Sequence, residues 1–457
     1  MPAEDLYKEI IDSPILVYPP INPSSDKADE QKKLRIKYNL TKTQSSPRNA
    51  ILYLHIPFCL TRCRYCTYNS SIAREGEPII SEYLEALLRE MSQYSVQPYV
   101  RGLRMITAFI GGGSPSLLSS NQLEHLLKKM RQCFDLDGLE EFTIEFELRT
   151  ITEEKIKICR EHGVSRISFG WQTFAPNVRK ICGIRPTEDI LKEKISLLTK
   201  YNFSLNTDMM YGLPEQTFTD WKKDIDQALG FGFTGLDLYK CEIVPPAPLF
   251  ALSKVKHWKM AGKQEKKDMF RYASDYLQSE GFVQDSYQHF YLPSHPTSRL
   301  IHNNIATLSS YDHLALGPSS WGFIAGWQYM NATDIRRYIQ ANHDSVTNHI
   351  SCACKLTQED LIERNLVQGL SRNLWIAKDL LGKVAQNERY KAILQKLKEH
   401  GLLIENEERY VLTKEANGYV FNIAQEFISR ENRKKIFLFF LRHLHKHKKK
   451  EINDESQ

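Results

Sequence analysis

Short apolar runs alternate with longer segments of mixed polarity through the first 250 residues. In the longer segments apolar residues recur every three or four positions, which predicts helices; in NQLEHLLKKM, for example, Leu123, Leu126 and Leu127 share one face. The predicted strands are ILYLHI (51–56), MITAFI (105–110), FTIEFE (142–147), SRISFGW (165–171), FSLNTDMMY (203–211) and GLDLYKCEIV (235–244). The predicted helices between them cover 81–95, 120–133, 152–162, 186–200 and 216–230.

Six strands that alternate with helices predict a parallel sheet with right-handed crossovers. The fold class is therefore α/β, and a partial (β/α)6-type barrel fits this order better than an antiparallel sandwich. Because active sites of such barrels lie at the carboxyl ends of the strands, we expect the chemistry to follow the strand ends.

The regular alternation of strands and helices ends near residue 280. There FVQDSYQHFYLP predicts one more strand, and a loop-rich stretch follows. From Leu356 the pattern is mostly helical, and LQKLKEHGLLIENEERYVLT (394–413) predicts a helix, a glycine turn and a hairpin of winged-helix type. The predicted division is an N-terminal arm (1–48), a barrel (49–280), a barrel extension that covers the substrate (281–354), a small helical, winged-helix-like domain (355–430) and a basic tail (431–457).

Composition places the chain among globular proteins, since 42% of its residues are hydrophobic and 25% are charged. No apolar run approaches the roughly 18–20 residues of a membrane span, and the N-terminus lacks a secretory signal, so we expect a cytoplasmic protein. Eight of the Lys and Arg residues lie between Arg433 and Lys450; removing them from the net charge of +6 leaves −2. A basic tail can contact nucleic acid, but a solvated helix end is the commoner case.

Nine cysteines in such a chain argue against a disulfide framework. Three of them, Cys59, Cys63 and Cys66, follow the first predicted strand with the spacing C-x3-C-x2-C. Three thiolates can hold three irons of a [4Fe–4S] cluster and leave the fourth iron open to a ligand. The alternatives are a zinc site completed by His55, or three unconnected thiols.

Polar or glycine residues also follow other strands. Gly111, Gly112 and Gly113 come directly after MITAFI, where successive glycines allow the backbone to approach a ligand closely. In TIEFE, alternation directs Glu145 and Glu147 to the same face. Gln172 ends the fourth strand and Asp208 lies in the fifth. Their recurrence at successive strands is typical of a barrel active site.

The motifs YLHIPFCLTRCRYC, GGGSPSLL, RISFGWQTF and DMMYGLPEQT occur in this order. Together they resemble the oxygen-independent coproporphyrinogen III oxidases of the radical SAM superfamily, a layout shared by the related radical SAM haem chaperones and coproporphyrinogen-oxidase-like methyltransferases. The likeness spans roughly residues 50–430.

The resemblance implies two cofactors, a [4Fe–4S] cluster and S-adenosylmethionine (SAM), with an electron donor such as a flavodoxin or ferredoxin. It implies that Cys59, Cys63 and Cys66 hold the cluster. The residues implied for SAM at the cluster are Tyr53, Gly112, Gly113 and Glu145, and those implied for a second SAM are Tyr65, Ser114, Gln172 and Asp208. The family's arginine after the Gln motif aligns with Ile184, so the adjacent Arg185 is the candidate cation.

The implied activity is cleavage of SAM to a 5′-deoxyadenosyl radical, with oxidative decarboxylation of tetrapyrrole propionates as the favoured reaction. A class C-type methyltransferase using two SAM molecules and a haem-binding chaperone are the alternatives. IHNN (301–304) resembles the His-Asn pair of the chaperones, although His302 is more often a structural histidine. Trp321, Trp327 and Tyr329 either cover a flat ligand or belong to the core.

Overall fold

One large sheet organises the fold. The computed structural model describes residues 6–7, 18–21, 26–306, 308–341, 345–381 and 387–436. The strands in this part of the chain are β1 Arg48–Ile56, β2 Phe58–Cys59, β3 Ser71–Ile72, β4 Leu103–Gly112, β5 Glu141–Glu145, β6 Arg166–Gln172, β7 Ser204–Tyr211, β8 Gly235–Lys240, β9 Val283–Gln284, β10 His289–Tyr291, β11 Asp312–Leu316, β12 Trp321–Ile324, β13 Trp327–Asn331, β14 Ile350–Lys355, β15 Trp375–Ala377, β16 Leu403–Glu405 and β17 Arg409–Leu412.

The main sheet has the order β14-β13-β12-β11-β1-β4-β5-β6-β7-β8-β10-β9. Its central strands, from β11 through β1 to β8, pair in parallel, and the outer pairs on both sides are antiparallel. The six predicted strands are therefore confirmed as neighbours of a parallel sheet. The sequence pattern missed the seventh parallel strand, β11, which lies beside β1.

Helices connect the parallel strands, as the alternation predicted. The α-helices are α1 Glu30–Leu40, α2 Pro78–Ser95, α3 Pro98–Arg101, α4 Ser120–Cys133, α5 Glu153–Glu161, α6 Pro176–Cys182, α7 Glu188–Lys200, α8 Phe218–Gly230, α9 Pro248–Ser253, α10 Lys263–Ser279, α11 Ile301–Ile305, α12 Ile335–Gln340, α13 Gln358–Gln368, α14 Glu388–Glu399 and α15 Val420–Glu426.

Helix α4 shows why these segments are helical. Ser119 and Gln122 form a reciprocal capping box at its start. The predicted face of Leu123, Leu126 and Leu127 is buried in the main core. Burying each of these side chains contributes about 1.5–3 kcal/mol, which fixes the helix against the sheet.

A second hydrophobic core lies in the C-terminal region and includes Tyr18 from the N-terminal arm. There α14 is followed by Gly401, whose φ of 69° allows the sharp turn into the hairpin of β16 and β17. Strand β15 adds to that hairpin as a third strand. No helix in the described ranges is long and apolar enough to cross a membrane. Most of the basic tail, from residue 437 onward, lies outside the described residues.

The predicted strand 142–147 is too long at its end. Strand β5 ends at Glu145, and Glu147 instead caps a short 3-10 helix by accepting a hydrogen bond from the Arg149 backbone N–H at 3.1 Å. Glu147 also pairs with the Arg149 side chain at 2.7 Å. The prediction that Glu145 and Glu147 share a face of one strand is therefore wrong, because strand pairing ends at Glu145 and Glu147 caps the 3-10 helix that follows.

Candidate functional site

The three clustered cysteines lie on the segment between β1 and β3. Cys59 ends β2, and Cys63 and Cys66 follow in the loop that returns to β3, which pairs with β2 in parallel. All three are partly exposed free thiols. Besides burial, the Cys59 charge raises the pKa of Cys63, and the charges of Cys63 and Cys59 raise the pKa of Cys66. The structure thus brings the predicted ligands together on one short loop.

Burial makes the charged form of the three thiols unfavourable in the protein alone. Burial raises the pKa of Cys59 and Cys63, and raises that of Cys66 to about 11. Ser70 and Ser114 hydrogen-bond to the Cys59 sulfur and oppose this rise. Metal ligation needs thiolates, and the protein alone does not stabilise the thiolate form of these cysteines. The positive charge of bound irons would stabilise it. The residues therefore fit a cluster that brings its own charge.

The zinc alternative completed by His55 does not fit this geometry. The His55 Nδ1 shares a hydrogen bond with the Tyr53 hydroxyl at 3.0 Å, and Nε2 faces the Asn69 carbonyl at 3.4 Å. Within the described ranges no three His, Cys, Asp or Glu side chains converge as around a single ion. The irons of a [4Fe–4S] cluster occupy separate corners, so its thiolates stand farther apart than the ligands of one ion.

The glycine loop packs directly against the cysteine segment. Gly113 N–H donates to the Ile56 carbonyl at 2.7 Å, and Ser114 N–H donates to the Phe58 carbonyl at 2.6 Å. A Cβ on Gly112, which has a φ of 104°, would lie 2.5 Å from the His55 ring. A Cβ on Gly111 would lie 2.8 Å from a Glu145 carboxylate oxygen. Glycine is therefore required here so that β1, β4 and β5 can approach each other.

Glu145 ends β5 beside this loop. Its carboxylate accepts a long hydrogen bond of 3.4 Å from Gly112 N–H. Burial raises the pKa of Glu145 to about 7, and burial together with the Glu145 charge raises the pKa of Tyr53. A poorly solvated carboxylate of this kind favours a bound cationic group such as an ammonium or sulfonium.

Asp208 and Gln172 lie on the neighbouring strands β7 and β6. Burial, Asp237 and Glu145 raise the pKa of Asp208 well above its ordinary value. Gln172 is 6% exposed and has a φ of 74°, and its side-chain oxygen has no hydrogen-bond partner within the described chain. An orphaned buried acceptor and a left-handed backbone together are typical of a ligand site.

Tyr65 and Arg185 differ in their placement. Tyr65 hydrogen-bonds to Cys63 and packs on an apolar cluster that also includes Ile184. Arg185 is exposed and makes no hydrogen bond or ion pair within the described part of the chain. The structure therefore does not bring Arg185 into contact with Gln172 or Asp208. The cation packed at the end of β6 is Arg179, which lies 3.9 Å over the Trp171 ring and donates to the Thr173 carbonyl at 2.7 Å.

A buried ionic network below the two carboxyl groups was not predicted. Arg166 lies 3.4 Å from Asp237, which also accepts a hydrogen bond from Asn206 at 2.7 Å. His289 contacts the same carboxylate at 3.1 Å, and Asp237 raises the pKa of this histidine despite its burial. These residues fall at ordinary strand positions, so nothing in the one-dimensional pattern marks them. The network lies close to Glu145 and Asp208, because Arg166 and Asp237 shift the pKa values of both.

The His-Asn motif lies inside the barrel. His302 on α11 shares a hydrogen bond of 2.7 Å with the Thr107 hydroxyl, and its ring lies 6.3 Å from that of Tyr53. His313 on β11 packs edge-on against His302 at 5.8 Å and against Trp321 at 5.2 Å. His313 was not among the predicted residues.

The three aromatic residues after residue 320 have different surroundings. Tyr329 is buried, and its hydroxyl accepts from the Ala315 N–H at 2.9 Å and donates to the Ala315 carbonyl at 3.0 Å. Trp327 is also buried in the main core. Trp321 is partly exposed against His313, so it alone of the three is available to cover a ligand.

Comparison with known proteins adds independent information. Residues 53–228 match the profile of the Radical SAM superfamily. The chain is 30% identical over 290 residues to the haem chaperone HemW of Lactococcus lactis, covering 63% of this chain and 73% of that protein. It is 26% identical over 332 residues to the oxygen-independent coproporphyrinogen III oxidase of Escherichia coli K12, covering 70% and 71%.

A solved structure shares the fold. The coproporphyrinogen III oxidase HemN from Escherichia coli superposes with a TM-score of 0.76 at 22% identity, over 90% of this chain and 96% of that one. At this identity the likeness concerns the fold, and it extends beyond the barrel into the C-terminal region. The predicted partial barrel with a helical C-terminal part is confirmed.

Proposed function

Because the chain belongs to the radical SAM family of the HemW haem chaperones and the oxygen-independent coproporphyrinogen III oxidases, we propose that it performs oxidative decarboxylation of tetrapyrrole propionates. This family uses a [4Fe–4S] cluster and SAM, which when bound and reduced supply a 5′-deoxyadenosyl radical that removes a hydrogen atom from substrate. Net conversion of one propionate to a vinyl group releases CO₂, one hydrogen atom and one electron. The 5′-deoxyadenosyl radical takes the hydrogen atom, and an external acceptor takes the electron.

In this proposal each part of the site has a distinct task. Cys59, Cys63 and Cys66 hold the cluster, and the glycine loop fixes their segment against β4. Glu145 and Tyr53 bind the cationic amino acid part of SAM, because a partly desolvated carboxylate gains most from a positive partner. The buried surroundings of these groups exclude water from the reaction.

The observation that carries the proposal is the position of Glu145 at the end of β5, against the glycine loop that packs on the cysteine segment. A carboxyl group whose pKa burial raises to about 7 is ionised at low cost only if a ligand supplies positive charge or hydrogen-bond donors. SAM supplies both. The arrangement therefore supports SAM binding next to the cluster loop.

A methyltransferase using two SAM molecules is a second candidate. The orphaned Gln172 oxygen and the half-buried Asp208 support it, since they offer an acceptor and a carboxyl group on the adjacent strands β6 and β7. A haem-binding chaperone is a third candidate, supported by the similarity to HemW and by His302 inside the barrel. These alternatives differ in their products.

The experiment is anaerobic turnover of the reconstituted protein with a reductant, SAM and coproporphyrinogen III, read by mass spectrometry. Loss of CO₂ from the porphyrinogen in step with 5′-deoxyadenosine is the expected result. Deoxyadenosine with an intact porphyrinogen would contradict the proposed substrate and leave radical chemistry. S-adenosylhomocysteine would indicate methyl transfer, and tight haem binding without turnover would indicate a chaperone.

We expect Cys63→Ala to abolish SAM cleavage, because two thiolates cannot hold the cluster with one open iron. The measurements are iron content, the charge-transfer absorption of the cluster and the yield of 5′-deoxyadenosine. Cys133→Ala is the matched control, since Cys133 is a partly exposed free thiol at the end of α4. Normal SAM cleavage by Cys63→Ala would contradict the assignment of the cluster ligands.

A further inference from the structure

One side chain fastens the loop that carries Cys63 and Cys66 to the region after β11. Asn69 lies three residues after Cys66, near the end of that loop. Its side-chain Nδ2 donates to the Ser319 hydroxyl at 2.7 Å and to the Thr333 carbonyl at 2.5 Å. We define the clamp as Asn69, Ser319 and Thr333. It joins the loop to residues about 250 positions farther along the chain.

The backbone at Ser319 has an unusual conformation. Its φ of 63° lies in the left-handed region, which is costly for a residue other than glycine and persists only where neighbouring contacts hold it. The Ser319 N–H donates to the Ala332 carbonyl at 3.0 Å. Two residues earlier, the Gly317 carbonyl accepts from the Ser320 hydroxyl at 2.7 Å. These contacts fix the Ser319 hydroxyl at the position where Asn69 meets it.

A buried carboxylate anchors the same turn. Glu90 on α2 is 0% exposed and accepts from the Gly317 N–H at 2.9 Å. It also accepts from the Asn331 side chain at 2.9 Å and from the Tyr338 hydroxyl at 2.5 Å. Asn331 ends β13 and Tyr338 lies on α12, so two further elements brace the turn. The clamp therefore ties the cysteine loop to a firmly held point of the fold.

The backbone of Asn69 contacts the predicted SAM site. Its carbonyl faces the Nε2 of His55 at 3.4 Å, and the Tyr53 hydroxyl lies 3.0 Å from the His55 Nδ1. Burial lowers the pKa of His55 to about 4, so the ring is neutral near pH 7 and carries one N–H. Because a carbonyl oxygen only accepts, that N–H is at Nε2, and Nδ1 accepts from Tyr53. A hydroxyl that donates its single proton to Nδ1 can only accept from a further partner.

The rest of His55 is closely confined. A Cβ on Gly317 would lie 2.6 Å from the His55 carbonyl oxygen, and a Cβ on Gly112 would lie 2.5 Å from the His55 ring. The turn thus approaches the backbone of the histidine, and the glycine loop approaches its ring. What remains to be fixed is the direction of the two ring nitrogens. The Asn69 carbonyl and the Tyr53 hydroxyl fix it.

From these contacts we propose that Asn69 is a positioning residue for SAM binding. The clamp holds the Asn69 carbonyl against His55, the carbonyl sets the tautomer of the imidazole, and the imidazole presents the Tyr53 hydroxyl as an acceptor. The amino group of SAM is a cationic donor, which such an acceptor complements. The inference rests on the proposed function in taking Tyr53 as a SAM residue, and it does not involve the tetrapyrrole.

The test is Asn69→Leu, which has a similar shape and cannot donate to Ser319 or Thr333. Asn69 is exposed, so the variant should fold. We expect SAM to bind about threefold to tenfold more weakly to the reconstituted protein, as measured by equilibrium binding and by titrating the electron paramagnetic resonance spectrum of the reduced cluster. The KM for SAM in 5′-deoxyadenosine formation should rise by the same factor, with kcat and iron content unchanged. Asn49→Leu, at an exposed position near the start of β1, is the matched control.

Ser319 separates the hydrogen bond from backbone strain. Ser319→Ala and Ser319→Gly both remove the hydroxyl, but only glycine adopts a φ of 63° without strain. Both variants should weaken SAM binding equally, and less than Asn69→Leu does, because the Thr333 carbonyl still accepts. Ser319→Ala should unfold at the lower temperature of the two. SAM affinity that follows the unfolding temperature would show a merely structural role and overturn the proposal.

A double-mutant cycle with Tyr53→Phe tests the route through His55. Since Tyr53→Phe removes the hydroxyl, adding Asn69→Leu should weaken SAM binding no further. An equal effect of Asn69→Leu in both backgrounds would overturn this route, and unchanged SAM binding by Asn69→Leu would overturn the positioning role altogether. A wild-type holoprotein that binds no SAM would instead overturn the proposed function itself.

Discussion

At the scale of single residues, Glu145 combines function with a cost in stability. Its pKa is raised to about 7, mainly by burial, so the folded state favours the protonated acid. Below the ordinary pKa of a glutamate, Glu145 is protonated in both the folded and the unfolded chain, so it does not affect stability. As the pH rises towards 7 and above, the cost of the buried charge lowers the stability of the fold by its full amount. A bound cation needs the ionised form, so we expect SAM binding to strengthen from pH 6 to pH 8.

Glu145→Gln separates these two effects. We expect it to weaken SAM binding about tenfold or more and to remove the pH dependence between 6 and 8, as measured by equilibrium binding. Without cofactors the variant should unfold at a higher temperature than the wild type above pH 7, because it carries no buried charge. Glu140→Gln, on an exposed neighbour, should change neither property. A variant that binds SAM as the wild type does would remove Glu145 from the site.

At the scale of elements, α8 fixes the ends of two strands through one carboxylate. Asp224 accepts hydrogen bonds from the Phe174 N–H at 2.5 Å, the Thr173 hydroxyl at 2.8 Å and the Gln216 side chain at 2.9 Å. Phe174 and Thr173 follow Gln172, and Gln216 also donates to the Met210 carbonyl on β7 at 3.0 Å. This helix therefore positions the segment that directly follows Gln172 at the end of β6.

We expect Asp224→Asn to lower the free energy of unfolding by about 1–3 kcal/mol, because the amide cannot accept from all three donors. Urea denaturation measures this loss. The control is Asp226→Asn, on the exposed side of α8, which should stay within about 0.5 kcal/mol of the wild type. Burial raises the pKa of Asp224 to about 6, so its hydrogen bonding to Thr173 and Gln216 changes below that pH. An Asp224→Asn protein as stable as the control would contradict the positioning role.

At the scale of the whole molecule, the N-terminal arm and the C-terminal region meet at Glu363. The Tyr18 hydroxyl donates to this carboxylate, as do Tyr390 at 3.2 Å and Asn432 at 3.0 Å. The Pro19 carbonyl accepts from the Gln328 side chain at 2.6 Å, which ties the arm to the barrel extension as well. Segments more than 300 residues apart in sequence thus share one buried polar centre.

We expect Tyr18→Phe to lower the free energy of unfolding by about 1–3 kcal/mol, since it removes one donor from a buried carboxylate. SAM cleavage should be unchanged, because Tyr18 lies in the second core. The control is Tyr38→Phe, a tyrosine that is 65% exposed. Denaturation that is identical for both variants would show that the arm contributes nothing to this contact.

Local pattern determined much of the barrel. Strand and helix positions follow from the period of apolar residues, which depends only on neighbours within a few positions, and the three cysteines are adjacent in the chain. The confirmed strands at 51–56 and 105–110 and the helix at 120–133 are of this kind. The domain boundaries at 48, 280, 354 and 430 stay a prediction.

Tertiary structure decided what no local period encodes. The placement of β11 beside β1, the network of Arg166 with Asp237, and the hydrogen bond between Thr107 and His302 all join segments far apart in the chain. The tertiary structure likewise set the surroundings of individual residues: burial raised the pKa of Glu145, whereas Arg185 is exposed and does not contact Gln172 or Asp208. A glutamate or an arginine is the same symbol in the sequence whether its side chain is solvated or buried. Only the folded chain sets the surroundings of that side chain.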